Sequence, residues 1–309
     1  MEQEQLHWSS SEFQNCSNGA APELAPEFMK FYILGSTGFL GSRCAKYLKS
    51  KGHIVLTKRV EITDFPLLVK TFKQTQPEAV INFTGARAEP NIDWCEDNKE
   101  TTVRINVLGA LNAALAALKS GAYPIQISSG CVYSGGPDTP FTEEDEPNFF
   151  GSFYSRARIA MQLALKELPV LQARIRMPIS VEPHPRNLIS KIISYQKVIS
   201  LPNSATLIED LFPALEKLAE IKPIGILNLT NDGYIEHSQI LEQYKKIINP
   251  NHKYALITLE ELEGKHGLVK AKRSNCVLSN AKAKSLGLKM PALDKNRLKE
   301  IMEIYKLCL

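Results

Sequence analysis

One heptapeptide restricts this chain to few folds. Gly35-Ser36-Thr37-Gly38-Phe39-Leu40-Gly41 directly follows the apolar, β-prone run Phe31-Tyr32-Ile33-Leu34. After it, Cys44, Tyr47 and Leu48 recur at helical spacing, and Lys51-Gly52 supplies a stop signal. A strand, a glycine turn and a helix in that order suit a phosphate-binding turn. The first glycine permits the tight bend, and the second lets backbone approach a pyrophosphate. The third lets helix and strand pack closely, so that the helix N-terminus faces the phosphates. The spacing is GxxGxxG, not GxGxxG.

The same alternation continues. Ile54-Val55-Leu56 reads as a strand, Leu67 to Phe72 as a helix and Ala79-Val80-Ile81-Asn82-Phe83 as a buried strand. Val103, Val107, Leu111, Leu115 and Leu118 share one face of a long helix that Gly121 ends. Ile125 to Ser128 and Val170 to Ile175 read as strands, and Tyr154 to Lys166 as the helix between them. Strands alternating with helices imply an α/β fold, a Rossmann-type doubly wound parallel sheet with both faces covered. Beyond about Pro178 the alternation weakens. The expected division is a cofactor-binding domain over residues 29–182 and a smaller mixed, mainly substrate-binding domain over 183–309, some of whose segments return to the first. Residues 1–28 are polar, acidic and aperiodic. They read as a disordered leader or artificial extension ahead of a second natural-looking start at Met29.

Composition excludes several classes. A net charge of +4 without a long basic run is too small to make nucleic acid the main partner. The six cysteines form no CxxC pair and no zinc spacing, so no metal is expected and reduced thiols in a cytoplasmic protein are the simplest account. No signal or transit peptide pattern and no bilayer-length apolar run is apparent, so no membrane partner is expected.

Two segments carry chemistry. Ser128-Ser129-Gly130-Cys131 follows a strand, and Tyr154-Ser155-Arg156-Ala157-Arg158 opens a helix. Carbonyl reduction needs a hydride donor on one face and an acid near the oxygen. A tyrosine is a weak acid unless a cation stabilises its phenolate, and residues four apart on a helix meet on one face. Lys58-Arg59 stands after the second strand, where an acid would hold an NAD ribose. Cations there suit the extra phosphate of NADP.

Together with the glycine turn, the segments Pro90 to Glu96, Asn106 to Gly109, Ser129 to Cys131, Pro147 to Ser155, Arg174 to Ser180, Pro185 to Asn187, Ile199 to Ser204 and Arg273 to Asn275 resemble the UDP-4-keto-6-deoxyglucose 3,5-epimerase/4-reductase family of plant rhamnose synthesis. The likeness runs from about Met29 to the C-terminus. More distantly, the chain is similar to dTDP-4-dehydrorhamnose reductases, which share the extended short-chain dehydrogenase fold. The resemblance implies NADPH, with NADH as the alternative, and a UDP-linked 4-keto-6-deoxy sugar. It also implies two reactions in one site. Cys131 and Lys191 map to the epimerising pair, and Ser129 and Tyr154 to the reducing group. Thr84, Gly85 and Asn106 are further cofactor candidates. Arg87, Asn148, Arg186, Asn187 and Arg273 are candidates for the substrate. A homodimer and a separate upstream 4,6-dehydratase are expected from relatives.

Two departures stand out. The family has Lys four residues after the tyrosine, where this chain has Arg158, and Glu89 stands where a family Arg is expected. Arg158 keeps the charge but cannot shuttle a proton. A 4-keto reductase without epimerase activity, such as a dTDP-4-dehydrorhamnose reductase, and a non-catalytic NADP-binding regulatory subunit on the same fold therefore stay open as alternatives.

Overall fold

The computed structural model describes residues 28–86, 89–264 and 267–309. The proposed leader lies outside them except for Phe28, and so does the substrate candidate Arg87. The central sheet has six parallel strands: β1 (Lys30–Leu34), β2 (Ile54–Leu56), β3 (Ala79–Asn82), β4 (Tyr123–Ser129), β5 (Leu171–Ile175) and β6 (Gly225–Asn228). Their order is β2-β1-β3-β4-β5-β6. β3, β4 and β5 are buried along their whole length, which explains their lack of polar alternation. The chain leaves β1 toward one edge and returns past it to β3. This reversal opens a crevice at the carboxyl ends of β1 and β3, where such sheets bind ligands.

The helices covering the sheet are α1 (Phe39–Ser50), α2 (Phe65–Thr75), α3 (Lys99–Lys119), α4 (Phe153–Leu165) and, farther on, α6 (Ile208–Ile221), while α5 (Leu188–Ile192), α7 (His237–Ile247) and α8 (Lys295–Leu307) pack on one another in a second core. The inward face of α3 is only partly the valine–leucine stripe: Leu111 and Leu118 pack against a core cluster, but alanines fill the rest. Ala110, Ala113, Ala114, Ala116 and Ala117 are buried, while Val103 and Leu115 are exposed. Small side chains let the helix approach its neighbours closely. The expectation that no segment reaches bilayer length also needs correction. α3 is long and apolar enough to cross a membrane by length and composition, although in this fold it packs against α2, α4 and β4.

Two main cores form. Phe31, Ile33, Leu48, Ile81, Ile125 and Leu171 pack under the sheet with Leu211, Leu215 and Leu218 of α6. Ile179, Ile189, Leu207, Ile240, Leu298 and Tyr305 build the second. The chain divides less simply than a cut at residue 183. α6 and β6 complete the first body, and Leu288 and Met290 rejoin its core. The second core is drawn from stretches between Ile179 and Tyr305, braced by parallel pairing of Pro178–Ile179 with Thr206–Leu207.

Candidate active site

The glycine turn sits at the β1/β3 crevice. Gly35 has φ +74°, a left-handed conformation that L side chains rarely adopt, and a Cβ there would lie 3.0 Å from the Phe83 carbonyl carbon. At Gly41 a Cβ would lie 2.3 Å from the Gly35 carbonyl oxygen, so helix and turn touch backbone to backbone. Gly38 is the N-cap of α1, no side chain caps it and no acid lies in the first turn. The helix therefore presents N–H groups and a positive dipole end to the crevice, which suits a pyrophosphate. The Ser36 hydroxyl donates to the Thr57 carbonyl, and Thr37 is exposed. Phe39 and Leu40 turn inward: Phe39 is buried and Leu40 packs on the first core.

The opposite wall comes from β3. Asn82 Oδ1 accepts from the Thr84 backbone N–H at 2.9 Å and from its hydroxyl at 2.6 Å. Asn106 lies in a π-helical turn of α3, Arg104–Gly109. Such turns recur at functional sites. Its Oδ1 accepts from the Ala86 N–H at 2.8 Å, while its Nδ2 is buried and unpartnered among the described residues. Lys58 and Arg59 follow β2 with exposed side chains.

β4 and α4 bring Ser129, Cys131 and the start of the Tyr154 helix to the same edge. The Ser129 hydroxyl accepts from the Cys131 N–H at 3.1 Å. The Ser155 hydroxyl donates to the Cys131 carbonyl at 2.5 Å, which ties the start of α4 to the loop after β4. Ser152 caps that helix by accepting from the Ser155 N–H. Next to Ser155, the Tyr154 hydroxyl accepts from Arg158 Nε at 3.2 Å, and the guanidinium lies 5.3 Å from the Tyr154 ring centroid. Arg158 is buried, and its Nη2 reaches the position of Gly85.

A second buried cation, to which sequence reasoning gave no role, completes this cluster. Arg176 follows β5 and is 2% exposed. It donates to Cys131 Sγ at 3.2 Å, to the Ser274 hydroxyl at 3.2 Å and carbonyl at 2.5 Å, and to Asn203 Oδ1. Burial alone would lower its pKa. Cys276, Cys131 and Tyr154 around it outweigh that and hold it above the ordinary arginine value. The alternation of Arg174 and Arg176 in a buried strand region was the available signal. Arginines are almost never fully buried unless paired.

The remaining candidates lie in the second body. Lys191, in α5, is partly buried. Burial and the neighbouring Arg186 push its pKa below the usual lysine value, against the pull of Glu89. Arg186 approaches Glu89 at 3.6 Å. His184 stacks on Phe39 at 4.6 Å, so the glycine turn touches the stretch that leads to α5. Asn187 is fully buried and its side chain is occupied: Oδ1 accepts from Ile189 and Ser180, and Nδ2 donates to the Ser180 and Glu182 carbonyls. Asn148 likewise pairs both side-chain groups with the Ser134 backbone. Arg273 forms an ion pair with Asp93 at 2.9 Å and donates to Asn91 and the Ala271 carbonyl. These last three tie loops together. Asp93, not singled out from sequence, is the anchor that joins the segment after β3 to residues 271–273.

A glycine turn at a sheet switch point and a tyrosine hydrogen-bonded by an arginine at the start of α4 are features that suit a dinucleotide and acid–base chemistry on an α/β fold. The chain belongs to the RmlD substrate binding domain family, whose model matches residues 29–306. It is 35% identical over 284 residues to the bifunctional dTDP-4-dehydrorhamnose 3,5-epimerase/dTDP-4-dehydrorhamnose reductase of Arabidopsis thaliana, a match covering 89% of this chain and 93% of that protein. It is also 35% identical over 286 residues to a trifunctional UDP-glucose 4,6-dehydratase/UDP-4-keto-6-deoxy-D-glucose 3,5-epimerase/UDP-4-keto-L-rhamnose-reductase of the same organism; the match covers 90% of this chain but only 42% of that protein. Among solved structures, the L780 UDP-rhamnose synthase of Acanthamoeba polyphaga mimivirus superposes with a TM-score of 0.83 at 31% identity, covering 91% of this chain and 99% of that one.

Proposed function

We propose that this chain is an NADPH-dependent 4-keto reductase of nucleotide-sugar rhamnose synthesis that also epimerises its substrate, converting UDP-4-keto-6-deoxy-D-glucose to UDP-L-rhamnose. The observation that carries the reading is the tie between α4 and the β4 loop. It sets Tyr154, with its hydroxyl on Arg158, beside Ser129 and Cys131 at one sheet edge. The bifunctional Arabidopsis relative, matched over nearly its full length, supports the same pairing of activities.

The residues fit the cofactor. Gly35 to Gly41 pack backbone to backbone in a turn that leaves the uncapped start of α1 free for a pyrophosphate, and Lys58 and Arg59 stand after β2 where a ribose phosphate would need cations. When bound, NADPH supplies a hydride for the C4 carbonyl. Ser129 hydrogen-bonds the carbonyl oxygen, Tyr154 gives it a proton, and Arg158 stabilises the phenolate that remains. For epimerisation, Cys131 takes the C3 or C5 proton, made acidic by the C4 ketone, and Lys191 returns one on the other face. Its lowered pKa brings the amine nearer to the range where both protonation states are accessible. The ketone must exist before either step, so a separate 4,6-dehydratase unit supplies it.

The test is incubation of purified protein with UDP-4-keto-6-deoxyglucose in deuterated water, with and without NADPH, followed by NMR. Deuterium at C3 and C5, NADPH oxidation and a rhamnose product are expected. NADPH oxidation only with a pre-epimerised ketone would leave a plain reductase. Binding of NADPH without exchange or turnover would sink the enzyme reading.

A further inference from the structure

Resting on the epimerase part of that reading, we infer that Arg176 is the positioning residue that makes Cys131 a base, by holding a fixed guanidinium against its sulfur. The geometry is built for this. Nη1 donates to Cys131 Sγ at 3.2 Å. The other guanidinium nitrogens are held by Asn203 and the Ser274 carbonyl, so the fork cannot rotate away. Met177, the next residue, has φ +42°, a left-handed conformation that costs a non-glycine residue energy. It bends the chain from β5 into the short pairing at Pro178 and fixes where Arg176 enters the site.

A free thiol is a poor base, and a donated charge-assisted hydrogen bond favours its thiolate. Polar groups near it have other partners. The Ser129 hydroxyl is engaged with the Cys131 N–H, Cys276 donates to the Gly130 carbonyl, and the Tyr154 hydroxyl is on Arg158. The proton balance follows. The thiolate takes the proton from C3 or C5 and becomes S–H, and the C–H electron pair passes into the enolate of the C4 ketone. The Lys191 ammonium then protonates the enolate carbon from the opposite face and becomes a neutral amine. Thiol and amine exchange protons with solvent to restart the cycle. Arg176 keeps its charge and its proton throughout.

The test needs no substrate. Iodoacetamide alkylation of the full chain at neutral pH is followed by mass spectrometry of the peptide carrying Cys131. In the wild type, Cys131 should react faster than Cys308, although Cys308 is exposed and Cys131 is half-covered. Arg176→Gln should slow Cys131 about tenfold while Cys308 is unchanged, and Arg176→Lys should fall between. A wild-type Cys131 slower than Cys308, or an unchanged rate in folded Arg176→Gln, would overturn the inference. If Arg176→Gln does not fold, the wild-type ratio and the lysine variant decide. Deuterium exchange then separates the two claims. A reactive Cys131 without exchange at C3 and C5 sinks the epimerase reading alone. Exchange that survives Arg176→Gln sinks the role of Arg176 alone.

Discussion

The two halves of the site are built from different materials. Around β1 and α1 the work falls to backbone: a left-handed glycine, a carbonyl packed against Gly41 and the free N–H groups of a helix start. Around β5 and the second body it falls to long-range side-chain pairs: Arg176 with Cys131, Asn203 and Ser274, and Arg273 with Asp93. A backbone site tolerates almost no added atom. A site of paired side chains loses its function in graded steps.

Changes at the reactive edge and the turn should separate the halves most sharply. Tyr154→Phe removes the proton donor and should lower reduction about 10²–10⁴-fold in a steady-state assay with a pre-epimerised ketone, leaving deuterium exchange at C3 and C5 nearly intact. Equal loss of both would mean that one residue serves both reactions. Gly41→Val puts carbon where the Gly35 carbonyl lies, 2.3 Å from its Cβ position, and should cost about 3 kcal/mol or more in denaturant unfolding. NADPH binding by fluorescence should be lost with it. A variant that still binds would show that the turn is looser than backbone contact allows.

The same contrast explains what could be read from sequence. The parallel sheet and the glycine turn were legible because their causes are local: apolar runs, glycine spacing and stop signals lie within a few residues of what they specify. The Tyr154–Arg158 contact was legible for the same reason, being one helical turn. Arg176 on Cys131 spans 45 residues and Asp93 on Arg273 spans 180, and no periodicity encodes such a pair. Asn148 and Asn187 show the converse. Both were read from sequence as candidates for the substrate, and in the structure each side chain bonds neighbouring backbone, the ordinary use of asparagine at turns and caps. α6 and β6 return to the first body because a sheet with a buried edge needs a further strand, a demand set by three-dimensional closure.

Smaller effects sharpen the comparison. Replacing Lys58 and Arg59 together with Ala should raise the KM for NADPH roughly tenfold and leave NADH nearly unchanged, with the difference shrinking in high salt because both side chains are exposed. Asp93→Asn should cost about 1 kcal/mol, since the pair with Arg273 is partly screened by solvent. Burial pushes the Asp93 carboxyl up, but hydrogen bonds from Arg273 and the Ala271 N–H outweigh it and leave the group below the usual carboxylate value. A depressed acid contributes stability above its unfolded pKa, near 4, and loses it as pH falls through the folded value. The gap between wild type and Asp93→Asn in thermal unfolding should therefore be full at about pH 6 and close toward about pH 3. A gap independent of pH would mean that packing rather than charge joins the loops.

The finest test lies on Arg158, where the two kinds of construction meet. Its guanidinium folds back on Tyr154, 5.3 Å from the ring centroid, while Nη2 lies 3.4 Å from where a Cβ on Gly85 would sit. In the proposed reduction an arginine would steady the phenolate but keep its own protons, so Tyr154 would be reprotonated from elsewhere after each turnover. Arg158→Lys restores a group that can pass a proton at the same helix position. Where reprotonation limits turnover, the lysine variant should raise kcat for reduction about threefold at neutral pH without changing exchange at C3 and C5. A fall in kcat with unchanged NADPH affinity would assign Arg158 a geometric task that an ammonium cannot perform. The planar fork itself would then be the part of the side chain that matters.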